Sequence, residues 1–356
     1  MKIEHEIIEL RTRHAFNIAR AAGDPVRRSV WLRLRDDDGL EGWGEAAPNA
    51  YYGETAETVV ALLPRYEAAL DKALSDGADP LSLDLLETAV ERAAGRNPAA
   101  RAAISAALHD LAGKRLGAPV WKLWGLNPAS MPLSSFTLGL DRPDVMRQKL
   151  EEAASYPVLK LKLGTADDRR LTELVRNAAP DAVLRVDANT AWDAKQAIAL
   201  LPMLQEFGVE LIEQPFKADD LAAFRLLRER SDIPVIADES CRIATDIPRL
   251  VGCVDGINIK LEKCGSLREA LRMVHVARAH HLQVMIGCMM SSTLAIAAAM
   301  QVAPLVDWAD LDAAALMARD PFSGPRMAAD GRMHLNTEPG LGVTVRVEEA
   351  ASARVD

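Results

Sequence analysis

The chain has 356 residues, which at roughly 150 per domain predicts two domains, or one barrel with an appendage. Hydrophobic residues make up 49% and charged residues 26%, a balance that allows a full buried core. Lys plus Arg number 42 against 51 for Asp plus Glu, a formal net charge of −9, and no basic run interrupts it, which argues against nucleic-acid and anionic-membrane partners. Cys241, Cys253, Cys264 and Cys288 form no C-x-x-C pair, so neither a disulfide scaffold nor a structural zinc is expected. That pattern suits a reducing cytoplasm. The opening MKIEHEIIEL carries Glu inside its apolar stretch and does not read as a signal peptide. The most apolar run, 294–300, is too short to span a bilayer.

The first 50 residues predict three strands at 2–10, 29–35 and 40–45, the last two joined by a D-G turn that signals a hairpin. Two loops stand beside them, an Arg-rich one at 17–28 and PNAYYG at 48–53. Ala-rich helices follow at 55–74, 83–93 and 99–116. Strands followed by helices, without alternation, predict an α+β domain over about residues 1–120.

From residue 131 short apolar strands alternate with helical stretches. Strands are expected at 133–140, 158–163, 183–187, 209–213, 235–238, 256–260, 283–287 and 306–312. Eight such units predict an α/β barrel of the TIM type over 121–320. A doubly wound sheet is the rival, but no G-x-G-x-x-G follows any of these strands. The turn-rich segment 321–356 is expected to leave the barrel and complete the N-terminal domain.

Charges sit at the last inward positions of these strands: Lys160 and Lys162 in LKLKLG, Asp187 in LRVDAN, Glu213 in LIEQP, Asp238 in VIADES and Lys260 in INIKLEK. The steps from 162 to 187, 213, 238 and 260 are each about one βα unit, which predicts six groups at one height around the barrel mouth, where barrel enzymes place their chemistry. Asp187, Glu213 and Asp238 are hard oxygen ligands on adjacent strands and suit Mg²⁺ better than zinc. Lys160 and Lys162, two apart on one strand, both point inward and should lower each other's pKa toward a usable base. Lys260 lies across the mouth from Lys162. Two opposed lysines suit a 1,1-proton transfer; a metal-stabilised barrel that binds without turnover would not need both.

The set K-x-K, D-A-N, E-Q-P, A-D-E-S and N-I-K-L, with G-x-G-E (Gly42, Gly44, Glu45) and Y-G-E-T near the start, resembles the muconate lactonizing enzyme subgroup of the enolase superfamily. The resemblance covers nearly the whole chain. It implies a capping domain on a modified (β/α)7β barrel, and a metal that binds a substrate carboxylate and stabilises an enediolate. Cycloisomerases, o-succinylbenzoate synthases, N-acylamino-acid racemases and dipeptide epimerases share that machinery. Asp310 and Asp312, a same-face pair at the eighth strand, resemble the dipeptide epimerases, notably those acting on L-Ala-D/L-Glu, and could hold the α-ammonium of a dipeptide. G-C-M at 287–289, Thr137 as a substrate contact and I-A-R ending in Arg20 resemble the same group, whereas Ala313-Ala314 departs from its usual Gly-Pro. The two capping loops should close over the mouth, with Arg20 offering its guanidinium to an acidic side chain of a dipeptide substrate. A cytoplasmic homo-oligomer is expected. His109, His275, His280 and His281 read as structural or surface residues, Arg185 as half of a barrel ion pair, and Cys288 as a thiol with no His partner.

Overall fold

The computed structural model describes residues 1–21 and 23–346; Ala22 of the first loop and 347–356 of the C-terminal segment lie outside the described residues. Strands β1 (Lys2–Arg11), β2 (Val26–Arg35) and β3 (Glu41–Ala46) form an antiparallel sheet. β2 starts three residues earlier than its alternation suggests. Glu9, Leu10 and Arg11 of β1 pair with Arg28, Arg27 and Val26, so a tertiary ladder converts loop residues into strand. Behind the sheet pack α1 (Ala56–Ser75), α2 (Leu83–Ala93) and α3 (Pro98–Leu116). Thr55 and Thr58 form a capping box on α1, and Gly117 closes α3 in the left-handed conformation. The G-x-G-E motif has a steric cause. A Cβ on Gly42 or Gly44 would lie 2.0 Å from Ala107 O or 1.9 Å from Ala103 O, so only glycine lets α3 lie this close on β3.

Eight parallel strands follow: β4 (Phe136–Leu138), β5 (Val158–Lys162), β6 (Val183–Asp187), β7 (Val209–Glu213), β8 (Val235–Ala237), β9 (Gly256–Ile259), β10 (Gln283–Gly287) and β11 (Trp308–Asp310). They run in sequence order with a helix in each of the seven connections, and a Ser134–Ala309 bridge joins the first strand to the last. This is the barrel that the alternation predicts, in the modified (β/α)7β form that the resemblance implies. The expected strand 133–140 shrinks to Phe136–Leu138 because its ends bond elsewhere. Ser134 and Ser135 turn their hydrogen bonds across the seam to Leu311 and Ala309, and Leu140 N donates to Asn17 O of the first capping loop. Inside the barrel Leu211, Ile236, Met285 and Trp308 form one apolar cluster.

The described tail runs back over the N-terminal sheet. Phe322 packs edge-on against Trp31 and Trp43, at 5.1 and 6.1 Å between ring centroids, and Leu341 N donates to Asp110 of α3. Glu45 ties cap to barrel, accepting from the N–H and hydroxyl of Ser292, the N-cap of the helix Thr293–Met300. Among the described residues no helix is long and apolar enough to cross a membrane.

Candidate active site

Strand register decides which charges meet. Lys162 lies beside Asp187, and Asp187 beside Glu213, while Lys160 lies one layer deeper, level with Thr137 and Arg185. The six groups therefore do not share one height: in a strand, residues on one face are two positions apart along the barrel axis. Lys160 is fully buried and spans the layers, its Nζ 2.6 Å from Glu213, 2.5 Å from Asp310 and 3.5 Å from Asp187. Lys162 Nζ donates to Asp187 at 2.6 Å, and on the far side Lys260 Nζ donates to Asp238 at 2.8 Å.

For Lys160 these contacts outweigh the expected pull of a neighbouring ammonium group. Burial does push Lys160 and Lys260 down, but the facing carboxylates outweigh it and hold both well above the ordinary lysine value: Asp310, Glu213 and Asp187 for Lys160, Asp238 and Glu213 for Lys260. Burial, with Asp187 close by, pushes Glu213 up to about 7. Asp238 goes the other way. Burial opposes its ionisation, yet Lys260 and Lys263 hold it well below the carboxylate range.

Among the described residues no three His, Cys, Asp or Glu side chains stand as a ready metal-ligand group. The reason is local, since Asp187, Glu213 and Asp238 are each drawn onto a lysine. The donor set nevertheless suits a hard cation. Glu213 Oε2 and Asp238 Oδ1 touch lysines but lack a hydrogen bond, and Asn189 Oδ1, Asn258 Oδ1 and Glu239 Oε2 are buried acceptors with none. Acceptor oxygens in excess of donors are what Mg²⁺ requires and what a protein otherwise avoids.

The strand ends are held by strained backbone. Asn189 of D-A-N and Gln214 of E-Q-P have φ of 45° and 36°, and Thr190 follows at 70°. From that position Gln214 Oε1 accepts from Asp238 N at 2.7 Å and Nε2 donates to Ser240, locking β7 to the segment that carries Asp238. Asn189 N and Nδ2 both donate to Asp187.

At the seam, Asp310 accepts from Lys160, Ser135 and Thr137 Oγ1, and Asp312 accepts from Thr137 N at 2.5 Å. Burial and the adjacent Asp310 push Asp312 up to about 7. Asp310 remains ionised against its own burial because Lys160 pairs with it. Arg185, below, pairs with Glu210 at 2.6 Å. Cys288 donates to Asp310 O, and burial raises its thiol well above the usual value.

A cavity of about 600 Å³ opens over these groups, lined by Thr137, Lys162, Asp238, Lys260, Asp310 and Asp312 below and by both capping loops above. Phe16 places its ring 5.9 Å from Lys162 Nζ. Arg20 reaches the mouth, but its guanidinium is engaged: it pairs with Glu239, donates to Asn189 O at 3.1 Å, and stacks 4.3 Å from the Tyr51 ring centroid. Sequence spacing also missed Lys263. Fully buried, it contacts Asp238 Oδ1 and donates to Asp238 O, Cys241 O and Asn258 O. It stands three residues after Lys260, in the helical turn Leu261–Cys264, where a strand period gives no signal.

Residues 145–350 match the enolase C-terminal domain-like family, and 2–125 the N-terminal domain of the mandelate racemase / muconate lactonizing enzyme family. The L-Ala-D/L-Glu epimerase of Bacteroides thetaiotaomicron is 39% identical over 345 residues, 96% of this chain and 88% of that protein. The hydrophobic dipeptide epimerase of Roseobacter litoralis is 38% identical over 91% of this chain and 93% of that protein. Among solved structures, the dipeptide epimerase of Enterococcus faecalis complexed with Mg and L-Leu-L-Tyr superposes with a TM-score of 0.85 at 30% identity, covering 96% of this chain and 99% of that one. The protein is an isomerase of the racemase and epimerase type. More particularly, it belongs to the muconate lactonizing enzyme subgroup of the enolase superfamily.

Proposed function

We propose that this chain is a Mg²⁺-dependent dipeptide epimerase that inverts the α-carbon of the C-terminal residue, with L-Ala-D/L-Glu as its preferred substrate. The observation that carries the reading is the placement of Lys162 and Lys260 on opposite walls of one cavity, four strands apart in an eight-stranded barrel. When bound at Asp187, Glu213 and Asp238, the cation would relieve the lysines of these charges and neutralise the charge that grows on the substrate carboxylate. One lysine, as the free amine, takes the α-proton from its face of the carbon. The opposite lysine, as the ammonium, returns a proton from the other face. Lys160, buried beneath and bound to Glu213 and Asp310, contributes fixed positive charge to the floor. Asp310 and Asp312 receive the substrate ammonium beside Thr137. A peptide N-terminus supplies that charge, whereas N-acyl amino acids and succinylbenzoate precursors do not, which sets those alternatives behind.

The preference for glutamate rests on Arg20 at the roof of the cavity. A second reading, a neutral or apolar side chain, is favoured by the engagement of that same Arg20 with Glu239 and by Phe16, Tyr51, Tyr52 and Met289 in the lining. The deciding experiment incubates L,L-dipeptides with enzyme and Mg²⁺ in D₂O and reads deuterium at the C-terminal α-carbon. Exchange into N-acyl amino acids but into no dipeptide would overturn the assignment. Chelation should abolish exchange, and restoring Mg²⁺ should raise the unfolding temperature by mass action on the folded state. An unfolding temperature indifferent to Mg²⁺ would remove the metal from the reading.

A further inference from the structure

The Arg20–Glu239 pair lies inside the cavity rather than on a surface. Glu239 follows Asp238 directly and is 3% exposed; Arg20 reaches down to it from the first capping loop, and both line the same 600 Å³ space as Lys162 and Lys260. Both hydrogen bonds of the guanidinium run through Nη1, to Glu239 Oε1 and Asn189 O. A guanidinium carries five N–H donors in a planar fork, so the rest of the fork has no hydrogen-bond partner among the described residues. Glu239 is equally half-used, since its Oε2 is buried and accepts no hydrogen bond. An internal carboxylate thus sits at the fork where an acidic substrate side chain would have to bind.

We propose that Glu239 is the resident counter-ion of Arg20 and sets the charge selectivity for the second side chain of the substrate. The inference rests on the dipeptide reading above and deepens it. An acidic side chain binds by taking over the Arg20 fork from Glu239. A neutral one leaves the pair closed and packs beneath it against Tyr51 and Met289. The pair would let one cavity serve both kinds of side chain: with Arg20 held, a neutral substrate meets no unpaired charge, and with Arg20 transferred, an acidic one meets a cation. Selectivity for acid is then the difference between two carboxylates competing for one guanidinium, and it is smaller than an unopposed Arg20 would give.

The test uses L-Ala-L-Glu and L-Ala-L-Gln, which differ by a carboxylate against an amide of the same shape. The readout is the ratio of their kcat/KM values, from deuterium incorporation with Mg²⁺ present, so that any general loss of activity cancels. Glu239→Gln removes the competitor and should raise the Glu/Gln ratio by about fivefold or more, part of the value of one charge-assisted contact. Glu239→Asp keeps the charge but retracts it by a methylene, and should raise the ratio as well; it serves if the Gln variant does not fold. In an Arg20→Met background both changes should move the ratio far less, since only the bare repulsion of Glu239 is left to remove. A ratio unmoved or lowered by both variants overturns the proposal. So does an equal rise with and without Arg20, which would show a general field of Glu239 in place of an exchange. Failure of the wild type to exchange either dipeptide would take down the parent reading and this inference together. Exchange of both dipeptides with an unresponsive ratio would sink this inference alone.

Discussion

Floor and roof of the cavity are built differently. On the floor, Lys160, Lys162, Asp187, Glu213 and Asp310 sit within strands whose register is fixed by their neighbours, and Asp238 and Lys260 follow directly after theirs. On the roof, Phe16, Arg20, Tyr51 and Tyr52 sit on connections between elements of the cap, touching the floor through side-chain contacts such as those of Arg20 with Asn189 O and Glu239. A proton transfer tolerates little misplacement and belongs on strands; discrimination between side chains is tuned on loops that can change without disturbing the barrel. The floor should therefore fail for every substrate at once, and the roof selectively.

The largest effect falls on the floor. Lys162→Ala and Lys260→Ala should each lower epimerisation by roughly 10²–10⁴-fold, the usual contribution of a positioned acid or base. Dipeptide binding with Mg²⁺ present, followed by calorimetry, should persist in both. Unimpaired epimerisation in either variant would mean that one base suffices and would break the two-wall reading.

Lys263 supports the floor without facing the cavity. Its removal leaves Asp238 to Lys260 alone and takes the donor from three carbonyl oxygens, so Lys263→Met should cost roughly 3–5 kcal/mol of stability, the usual penalty for breaking one side of a buried pair. Urea unfolding of the metal-free protein reads this directly. A loss below about 1 kcal/mol would show that Lys260 alone compensates Asp238.

The roof is probed by Arg20→Ala. It should lower kcat/KM for Ala-Glu by roughly 2–3 kcal/mol equivalent, the lost contact together with repulsion from the Glu239 left unpaired, and lower dipeptides with neutral side chains much less. Equal losses for acidic and neutral substrates would make Arg20 a support for the loop and erase the distinction drawn between roof and floor.

The same division governs what was readable in the sequence. Strands β6, β7 and β10 coincide with their expected limits because each is a short apolar run whose end is marked, in β6 and β7 by an inward carboxylate. The sites of Lys162, Asp187, Glu213, Asp238 and Lys260 follow from that period. Lys160 lies a layer deeper than its alternation suggests, because alternation gives the face and not the layer. The limits of β2 and β4 were misjudged because partners decide them: β1 recruits residues 26–28, and the seam to β11 claims Ser134 and Ser135. Glu239 and Asn258 stand inside A-D-E-S and N-I-K-L, but their roles, like that of Lys263, are not legible from spacing, since each acts through a partner that is distant in sequence or off the strand period. Arg20 lines the cavity from the first capping loop, and its pairing with Glu239, 219 residues away, is a fact of three dimensions.

The smallest expected effect concerns the anchor of the roof. Glu54 ends the second capping loop within Y-G-E-T; it is buried and accepts from Ala99 N at the first turn of α3. Burial pushes its carboxyl up to about 7, although the Ala99 and Ala100 N–H groups pull it down. The folded protein therefore holds a proton on Glu54 between about pH 4.5 and 7 that the unfolded chain has released. The stabilisation linked to that proton is fully present below about pH 4.5 and is lost as pH rises through about 7. Glu54→Gln is neutral throughout and should remove this dependence, so that its stability relative to wild type improves on going from pH 5 to pH 8 by on the order of 1 kcal/mol. Thermal melts at several pH values, with Mg²⁺ omitted so that the floor does not titrate through metal binding, supply the comparison. Parallel curves for the two proteins would mean that Glu54 ionises as readily folded as unfolded, and that the loop is anchored by the helix N-terminus on a carboxylate and not by a buried acid.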